Sequence, residues 1–188
     1  MTRLAVFVSG NGSNFQAIVG AVNRRKLKAE LSLMVCDNPK ARVVQRAAKS
    51  RIPAIVVSPG LFDSRIEYEK FIVRILKNQK IDLVVLAGFM RIFTGYFIGA
   101  YKNRILNIHP SYLPAYKGAH AIRDAFNARA KETGVTVHVV TAKIDDGPIL
   151  MQQKIRILKT DNLAALEERI HRAEHRLYPL AIQKFISR

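Results

Sequence analysis

Near its start the chain reads Leu4-Ala5-Val6-Phe7-Val8-Ser9-Gly10-Asn11-Gly12-Ser13-Asn14, an apolar run of strand length that passes into a loop of small residues. The helix-like segment 15–27 follows, and the same succession of a strand-like run and a helix-like segment recurs along the chain. This alternation predicts an α/β fold in which one doubly wound sheet has mostly parallel strands. The predicted strands are residues 4–8, 31–35, 54–57, 83–87 and 105–108, and the predicted helices are residues 15–27, 43–51, 66–77 and 92–102.

The C-terminal part of the chain has a different pattern. Residues 135–141 and 148–153 are typical of strands, and because the turn-forming Asp145-Asp146-Gly147 lies between them, the two are expected to pair antiparallel. A C-terminal helix is predicted from about 164 to 186, with Pro179 bending or interrupting it. Since no linker or repeat divides the chain, residues 1–188 are expected to form a single domain.

The composition is that of an ordinary globular protein. Hydrophobic residues make up 49% of the 188 residues and charged residues 24%, which excludes a disordered or a membrane-spanning chain. We expect no signal peptide or membrane anchor, because the apolar runs have only the length of strands. The single cysteine, Cys36, cannot form an intrachain disulfide, which fits a cytoplasmic protein.

The net charge of +17 is the unusual bulk property. Such a charge attracts anions, and nucleic acid is one candidate. The basic residues are dispersed between apolar segments, however, and they form no basic tail and no stripe with interleaved aromatic residues. Most of the charge is therefore interpreted as the solvated faces of helices, with attraction of small phosphates or carboxylates as a further effect.

The segment Asn107-Ile108-His109-Pro110 closes a predicted strand. Side chains two residues apart leave a strand on the same face, so Asn107 and His109 should lie side by side. An amide donor next to an imidazole suits the stabilisation of negative charge on a substrate oxygen. The alternative is a structural pair whose hydrogen bonds are satisfied by the backbone.

The loop 9–14 is a natural phosphate site, because its amides lie at the N-terminus of a helix. A nicotinamide dinucleotide site is an alternative, since Gly10-x-Gly12 follows a strand and Asp37 lies where a ribose-binding acid would be. Phe15 stands where the third glycine of that motif belongs, which favours a monophosphate over a dinucleotide. A capped helix without a ligand is the structural alternative.

The segment 86–92 follows the fourth predicted strand, at the edge where open α/β sheets bind ligands. Its apolar residues beside Arg91 could accept a flat ring with an acidic tail, and Arg65 could pair with a ligand carboxylate. Asp145 lies on a rigid turn, and beside His109 it would stabilise the positively charged imidazole. An aspartate that only supports its own turn is the alternative.

The remaining histidines and Glu174 lie outside these motifs. His138, within an apolar strand, is expected to be structural, and His171 is assigned only to the last helix. His120 could line the same edge as His109, and Glu174 could meet a substrate amine if its helix face turns inward. None of these residues has metal-ligand spacing, so no metal is expected.

Taken in order, these motifs resemble the phosphoribosylglycinamide formyltransferase family over nearly the whole chain. The resemblance is carried by residues 9–14, 86–91, 107–114, 145–148 and 174–179, together with His138. It implies a Rossmann-like formyltransferase fold, with a phosphate-binding half at about 1–100 and a catalytic and folate-binding half at about 101–188. It also implies transfer of a formyl group from 10-formyltetrahydrofolate to the amine of glycinamide ribonucleotide, in de novo purine biosynthesis.

The resemblance implies roles for particular residues. The phosphate of the ribonucleotide would be held by Gly12, Ser13 and Asn14, and its glycinamide end by Glu174. The folate-binding residues would be Arg65, Met90, Arg91, Ile92, Phe93 and Asn107. The catalytic residues would be Asn107, His109 and Asp145, with Asn107 and protonated His109 stabilising a tetrahedral oxyanion and Asp145 keeping His109 charged. The expected partners are these two small molecules alone, with neither nucleic acid nor a membrane required, for a monomer or a homodimer.

The chain departs from the family pattern at Ile122, where a second histidine would be expected after His120, and at Tyr112, which interrupts the usual Ser-Leu-Leu-Pro. A methionyl-tRNA formyltransferase has a similar Asn-x-His and Asp and would use the positive charge, but we expect no second domain after about residue 185 to hold tRNA. A formyltetrahydrofolate hydrolase would need an additional N-terminal domain. A non-enzymatic nucleotide- or RNA-binding module would leave Asn107, His109 and Asp145 unexplained.

Overall fold

A computed structural model describes the protein over residues 1–188. The strands are β1 (Thr2–Val8), β2 (Ala29–Cys36), β3 (Ala54–Val56), β4 (Leu83–Leu86), β5 (Ile105–His109), β6 (Glu132–Val139) and β7 (Ile149–Arg156). The helices are α1 (Ser13–Asn23), α2 (Arg42–Lys49), α3 (Arg65–Asn78), α4 (Gly95–Ala100), α5 (Ala121–Asn127) and α6 (Leu163–Ile186), and a short 3₁₀ helix, Pro59–Leu61, precedes α3.

All strands belong to one seven-stranded sheet with the order β3-β2-β1-β4-β5-β6-β7. The pairs β2–β3, β1–β2, β1–β4 and β4–β5 are parallel. The pairs β5–β6 and β6–β7 are antiparallel. The predicted α/β fold, with a mostly parallel sheet, an antiparallel strand pair and a C-terminal helix, is therefore confirmed. The prediction did not include the pairing of β6 with β5, which turns out to build the candidate site.

The central strand β1 is buried on both faces, which explains its uninterrupted apolar sequence. Leu4 and Val6 belong to a core beneath α1, α2 and α6, whereas Ala5 and Phe7 belong to a second core beneath α3 and α4. This division into two cores is what a doubly wound sheet requires, because successive side chains of a strand point to opposite faces.

Several helix boundaries differ from the prediction for local reasons. Helix α4 begins at Gly95 and not at residue 92, because the side chain of Thr94 accepts a hydrogen bond from the Tyr96 N–H and caps the helix there. Helix α1 ends at Asn23, just before Arg25 adopts a left-handed backbone conformation with φ 57°. Helix α6 continues past Pro179 without interruption, and the short helix α5 was not predicted.

The chain reverses its winding direction between β1 and β4, which are neighbours in the sheet. Ligands of open α/β sheets bind beside the carboxyl ends of strands at such a switch point. The loops that follow β1 and β4 are joined there by a hydrogen bond from the Ser9 N–H to the Gly88 carbonyl, at 3.1 Å. None of the helices combines the length and the apolar character needed to cross a bilayer.

Helix α6 is fixed to the same edge of the sheet by Tyr178. Its buried hydroxyl donates to the carbonyl oxygens of Leu86, the last residue of β4, and Leu106, within β5, at 2.8 and 3.1 Å. Glu174 lies one helical turn earlier on α6, so this anchor directs Glu174 towards the switch point.

Candidate active site

A cleft of about 710 Å³ opens at the carboxyl ends of β1, β4 and β5. Its volume is in the range of sites that hold small ligands and cofactors. Nearly all of the residues predicted to form the site line this cleft. They are Gly12, Ser13, Asn14, Met90, Arg91, Ile92, Phe93, Asn107, His109, Asp145 and Glu174. The exception is Arg65, which does not line the cleft.

Asn107 and His109 lie at the end of β5, where the parallel part of the sheet meets the antiparallel part. They are two residues apart in one strand, and both line the cleft, as their spacing predicted. His109 is almost fully buried, and Asn107 is partly exposed to the cleft. The strand therefore fixes the backbone of both side chains and leaves the amide accessible to a ligand.

Asp145 reaches His109 from the loop between β6 and β7. Its Oδ2 lies 3.4 Å from Nδ1 of His109 and accepts a hydrogen bond from the Gly118 N–H at 2.9 Å. Asp145 has a left-handed backbone, with φ 48°, which aspartate tolerates better than most residues. A Cβ at Gly147 would lie 1.7 Å from the Val139 carbonyl oxygen, so the turn that carries Asp145 requires glycine there.

The charge of Asp145 is stabilised by its neighbours. Burial would raise the pKa of this carboxyl group, but contact with His138, the Gly118 N–H and the nearby His109 together outweigh that effect and lower the pKa to about 2. Asp145 is therefore a carboxylate at neutral pH, as a partner for a charged imidazole has to be.

Both ring nitrogens of His109 face oxygen acceptors. Nδ1 faces Asp145, and Nε2 lies 2.8 Å from the backbone carbonyl oxygen of Tyr116. A carbonyl and a carboxylate can only accept, so both contacts are satisfied only when His109 carries a proton on each nitrogen.

His138 was predicted to be structural, and the structure gives it contacts within the site. It lies opposite Asn107 in the β5–β6 pairing, and its Nε2 is 3.2 Å from Nδ2 of Asn107 and 3.6 Å from Oδ1 of Asp145. This contact depends on the pairing of β6 with β5, which no local sequence pattern specifies. His120, which was expected to line the cleft, does not line it.

Gly12 lies in the loop 9–14, directly before α1, and its φ of 75° is in the left-handed region. A Cβ at this position would lie 2.5 Å from Cγ2 of Val43, so both the backbone conformation and the space require glycine. No side chain caps the N-terminus of α1, and its first turn has no acidic residue. The amides of Ser13 and Asn14 therefore remain available for an anion in the cleft.

Glu174 lies beside this loop. Its carboxylate is buried, and Oε2 accepts hydrogen bonds from Nδ2 of Asn14 at 3.1 Å and pairs with Nδ1 of His171 at 2.8 Å. The buried Oδ1 of Asn14 has no protein partner. His171 also lines the cleft, which its assignment to the last helix did not predict. The loop is thus bordered by a carboxylate, an amide oxygen and an imidazole that could contact a polar ligand.

The segment Met90–Phe93, predicted to bind folate, is held at both ends and exposed in between. The Met90 N–H donates to Oγ of Ser9 at 2.9 Å, and the ring of Phe93 stacks on Phe97 with centroids 3.8 Å apart. The side chains of Met90 and Ile92 are 72% and 57% exposed, which leaves apolar surface free for a ligand ring.

Two cations accompany this segment. Arg65, at the start of α3, donates from Nη1 to the Ile92 carbonyl oxygen at 3.4 Å, so it contacts the backbone of the segment from outside the cleft. Arg91 pairs through Nε with Oδ2 of Asp37 at 2.6 Å. Asp37, the acid that a dinucleotide would use for its ribose, is thus already engaged by Arg91, which argues against the nicotinamide interpretation.

No group of three or more His, Cys, Asp and Glu side chains is arranged to hold a metal ion. The cleft has two polar centres, the anion site at the start of α1 and the group formed by Asn107, His109 and Asp145. An anion site beside an amide and a charged imidazole is suited to a phosphate-bearing substrate that reacts at a carbonyl carbon.

Comparison with known proteins agrees with this geometry. The chain matches the formyl transferase family over residues 2–182. It is 41% identical to the phosphoribosylglycinamide formyltransferase of Bacillus subtilis (strain 168) over 186 residues, which are 99% of this chain and 95% of the relative. The trifunctional purine biosynthetic protein adenosine-3 of Drosophila melanogaster is 39% identical over 98% of this chain, but the match spans only 14% of that longer protein.

A solved structure gives the same result. The crystal structure of glycinamide ribonucleotide transformylase 1 from Geobacillus kaustophilus matches with a TM-score of 0.96 and 48% identity, over 98% of each chain. This match confirms the formyltransferase fold that the sequence motifs predicted. The chain is therefore an enzyme of the formyl transferase family, and its full-length relatives are phosphoribosylglycinamide formyltransferases.

Proposed function

We propose that this enzyme transfers the formyl group of 10-formyltetrahydrofolate to the glycinamide amine of glycinamide ribonucleotide, in de novo purine biosynthesis. The observation that carries the proposal is the contact between His109 and Asp145, at 3.4 Å, in the same cleft as the anion site at the start of α1. The two halves of the cleft correspond to the two chemical needs of this reaction, a grip on a phosphate and stabilisation of charge on an oxygen. The names of the full-length relatives support the same substrate.

The acceptor substrate binds through its phosphate to Gly12, Ser13 and Asn14, and Glu174 receives its glycinamide end. The uncapped N-terminus of α1 supports the phosphate assignment, because its free amides are the partners that an anion needs. Glu174 is buried beside Asn14, so a substrate group that replaces one of its contacts would be held away from water.

The formyl donor binds against Met90–Phe93 and Asn107, with Arg65 supporting that segment. The exposed side chains of Met90 and Ile92 support this assignment, because a flat folate ring needs apolar surface at the wall of a cleft. The chain has one further feature that suits both substrates. Its net charge of +17 attracts a phosphate and the carboxylates of a folate.

The chemistry follows from the polar groups at the end of β5. The amine attacks the formyl carbon, and the carbonyl oxygen becomes an oxyanion that accepts hydrogen bonds from Nδ2 of Asn107 and Nε2 of protonated His109. In the absence of substrate, Nε2 of His109 is hydrogen-bonded to the Tyr116 carbonyl oxygen. The oxyanion replaces this carbonyl as the acceptor when the amine attacks. Asp145 remains ionised and keeps His109 charged.

Collapse of the oxyanion breaks the bond between the formyl carbon and N10 of the folate. The amine loses one proton in the reaction and N10 gains one, so the transfer is balanced when a water molecule carries the proton between the two nitrogens. The enzyme needs no metal for this step in our proposal, because the imidazolium and the amide supply the stabilisation of charge. We place it in the cytoplasm, as a monomer or a homodimer.

A formyl-transfer assay tests the proposal. Loss of formyl from a folate analogue is followed with glycinamide ribonucleotide or charged initiator tRNA as the acceptor. Activity with the ribonucleotide alone is expected. Activity with tRNA alone would assign the +17 charge to a nucleic acid substrate, and loss of formyl without an acceptor would indicate a hydrolase.

The role of His109 is tested in the same assay with His109→Ala. We expect this variant to lose turnover while it still binds both substrates, because His109 interacts with the oxyanion and not with the bound ground state. Near-normal turnover in the variant would falsify the assigned role.

A further inference from the structure

His138 is a buried histidine, 2% exposed, for which the proposed reaction has no role. It lies in β6 directly opposite Asn107 in β5. Its Nδ1 is 3.2 Å from the carbonyl oxygen of Val139, and its Nε2 is 3.2 Å from Nδ2 of Asn107. These contacts together determine which ring nitrogen carries the proton.

The Val139 carbonyl can only accept a hydrogen bond, so Nδ1 of His138 has to donate to it. In the neutral ring, Nε2 then has a lone pair and accepts a hydrogen bond from the amide of Asn107. The opposite tautomer would direct the Nδ1 lone pair at the carbonyl oxygen. It would gain only the Oδ1 of Asp145, which at 3.6 Å lies beyond hydrogen-bond distance.

This arrangement fixes the side chain of Asn107. One N–H of its amide is held by His138, which leaves the second N–H free for a ligand in the cleft that Asn107 lines. An asparagine without such a partner could present its oxygen instead, because the two ends of the amide have nearly the same shape. An oxygen in that place would repel an oxyanion.

We propose that His138 is a positioning residue, which as the neutral Nδ1–H tautomer holds the Asn107 amide so that an N–H and not an oxygen faces the reacting carbonyl. The inference rests on the proposed function, since it concerns the donor for the oxyanion of formyl transfer. It predicts that the effect of His138 on the rate passes through Asn107.

A double-mutant cycle tests this dependence. His138→Ala should lower kcat by on the order of 10- to 100-fold, with the KM for the ribonucleotide little changed, because the Asn107 donor for the formyl oxygen is misplaced while the anion site is untouched. His138→Gln should recover part of the loss, since its oxygen can accept the Asn107 N–H. In the Asn107→Ala background, His138→Ala should have no further effect on kcat.

Two controls belong to the cycle. His120→Ala removes a histidine that lies outside the cleft and should leave kcat unchanged. A second cycle pairs His138→Ala with Glu174→Gln, whose carboxylate contacts Asn14 and His171 and not His138, and here the two losses should multiply. If the losses multiply with Asn107→Ala instead, or if the coupling appears with Glu174, the inference is wrong.

The tautomer can be measured without activity. In ¹⁵N-labelled substrate-free protein, with the His138 signal assigned from the His138→Gln variant, the ring should give the shifts of the Nδ1–H form. The Nε2–H form would overturn the inference even if the kinetics agreed. If the wild-type enzyme transferred no formyl group to the ribonucleotide, the proposed function would fail while the tautomer measurement still decided the state of His138.

Discussion

Nδ1 of His171 lies 2.8 Å from Oε2 of Glu174, one turn apart on the same face of α6. The hydrogen bond to this buried carboxylate raises the pKa of His171, although burial opposes the shift. On the neighbouring position His175 behaves oppositely, because burial is its largest influence and lowers its pKa. The contributions of His171 and His175 to the free energy of unfolding should therefore change with pH in opposite directions.

For His171, we predict a stabilising contribution in acid that fades in base. Its pKa is higher in the folded than in the unfolded protein, so the contribution is fully present below its ordinary pKa of 6.5 and is lost as the pH rises through the folded value. The difference in free energy of unfolding between the wild type and His171→Gln, from urea unfolding at several pH values, should shrink from pH 5.5 to pH 8. The charged groups around His171 are Glu174, Glu167 and His175 on its own helix, with Arg46 acting on His175 from α2.

The matched control is His175→Gln. Because the pKa of His175 is lowered by folding, its contribution is present above pH 6.5 and is lost as the pH falls. The same pH trend for both variants would contradict the assigned partners.

For Asp145, we predict that Asp145→Asn lowers kcat by about 10²- to 10⁴-fold, the range for loss of an acid–base group, because His109 loses its anionic partner. The fold should survive, since asparagine tolerates the left-handed backbone and its oxygen can still accept the Gly118 N–H. Steady-state kinetics and thermal unfolding measure the two effects.

Asp146→Asn is the control for this prediction. Asp146 is the neighbouring carboxylate, and it pairs with Lys117 at the surface, outside the lining of the cleft. The kcat of the Asp146→Asn enzyme should remain close to that of the wild type. A comparable loss in both variants would attribute the effect to the loop and not to the partner of His109.

The sequence was sufficient for the features that depend on local spacing. The buried run of β1 and the two-residue spacing of Asn107 and His109 predicted the central strand and a shared cleft-facing side, because the period of a strand is set by its backbone. The start of α4 after Thr94 could also have been predicted, since threonine followed by a helix is a common capping pattern.

The role suggested for His138 could not be predicted in this way. It follows from the register between β5 and β6, in which Asn107 faces His138, and no local pattern specifies which strand a distant segment will join. The same holds for Arg65, because its position on α3 does not say whether its side chain enters the cleft or contacts the backbone of Ile92.

For the phosphate loop, we predict that Gly12→Ala is strongly destabilising. Its φ of 75° costs an alanine about 1–2 kcal/mol, and the new Cβ would lie 2.5 Å from Cγ2 of Val43. Urea unfolding should show a loss above about 2 kcal/mol from strain and overpacking together. If the variant folds, its KM for the ribonucleotide should rise.

Gly10→Ala offers the comparison, because nothing lies within 4 Å of a Cβ at Gly10 and its backbone is outside the left-handed region. Its unfolding free energy should stay within about 0.5 kcal/mol of the wild type. Equal losses at Gly10 and Gly12 would mean that the loop tolerates no side chain at all, whatever the backbone angle.

The last prediction concerns Glu69, a carboxylate of α3 that is 1% exposed and lies outside the lining of the cleft. Its Oε1 accepts the Thr94 N–H at 2.8 Å, and its Oε2 accepts the hydroxyl of the same residue. Thr94 directly follows Met90–Phe93, so Glu69 fixes the end of the segment assigned to the folate. Thr94→Val removes a hydroxyl that both donates to Oε2 of Glu69 and caps α4. The carboxylate oxygen left without a partner should cost about 1–3 kcal/mol of unfolding free energy, and the lost cap about 1 kcal/mol more.

The kinetic consequence distinguishes an anchor of the folate segment from a general loss of stability. In Thr94→Val the KM for the folate should rise, while the KM for the ribonucleotide stays near the wild-type value, because the loop at Gly12 belongs to another part of the sheet edge. Thr94→Ser keeps the hydroxyl, so both its stability and its KM values should stay close to the wild type. If the two KM values change equally, Glu69 has no specific part in shaping the folate side of the cleft. The same conclusion holds if the folate KM changes only in proportion to the loss of stability in both variants.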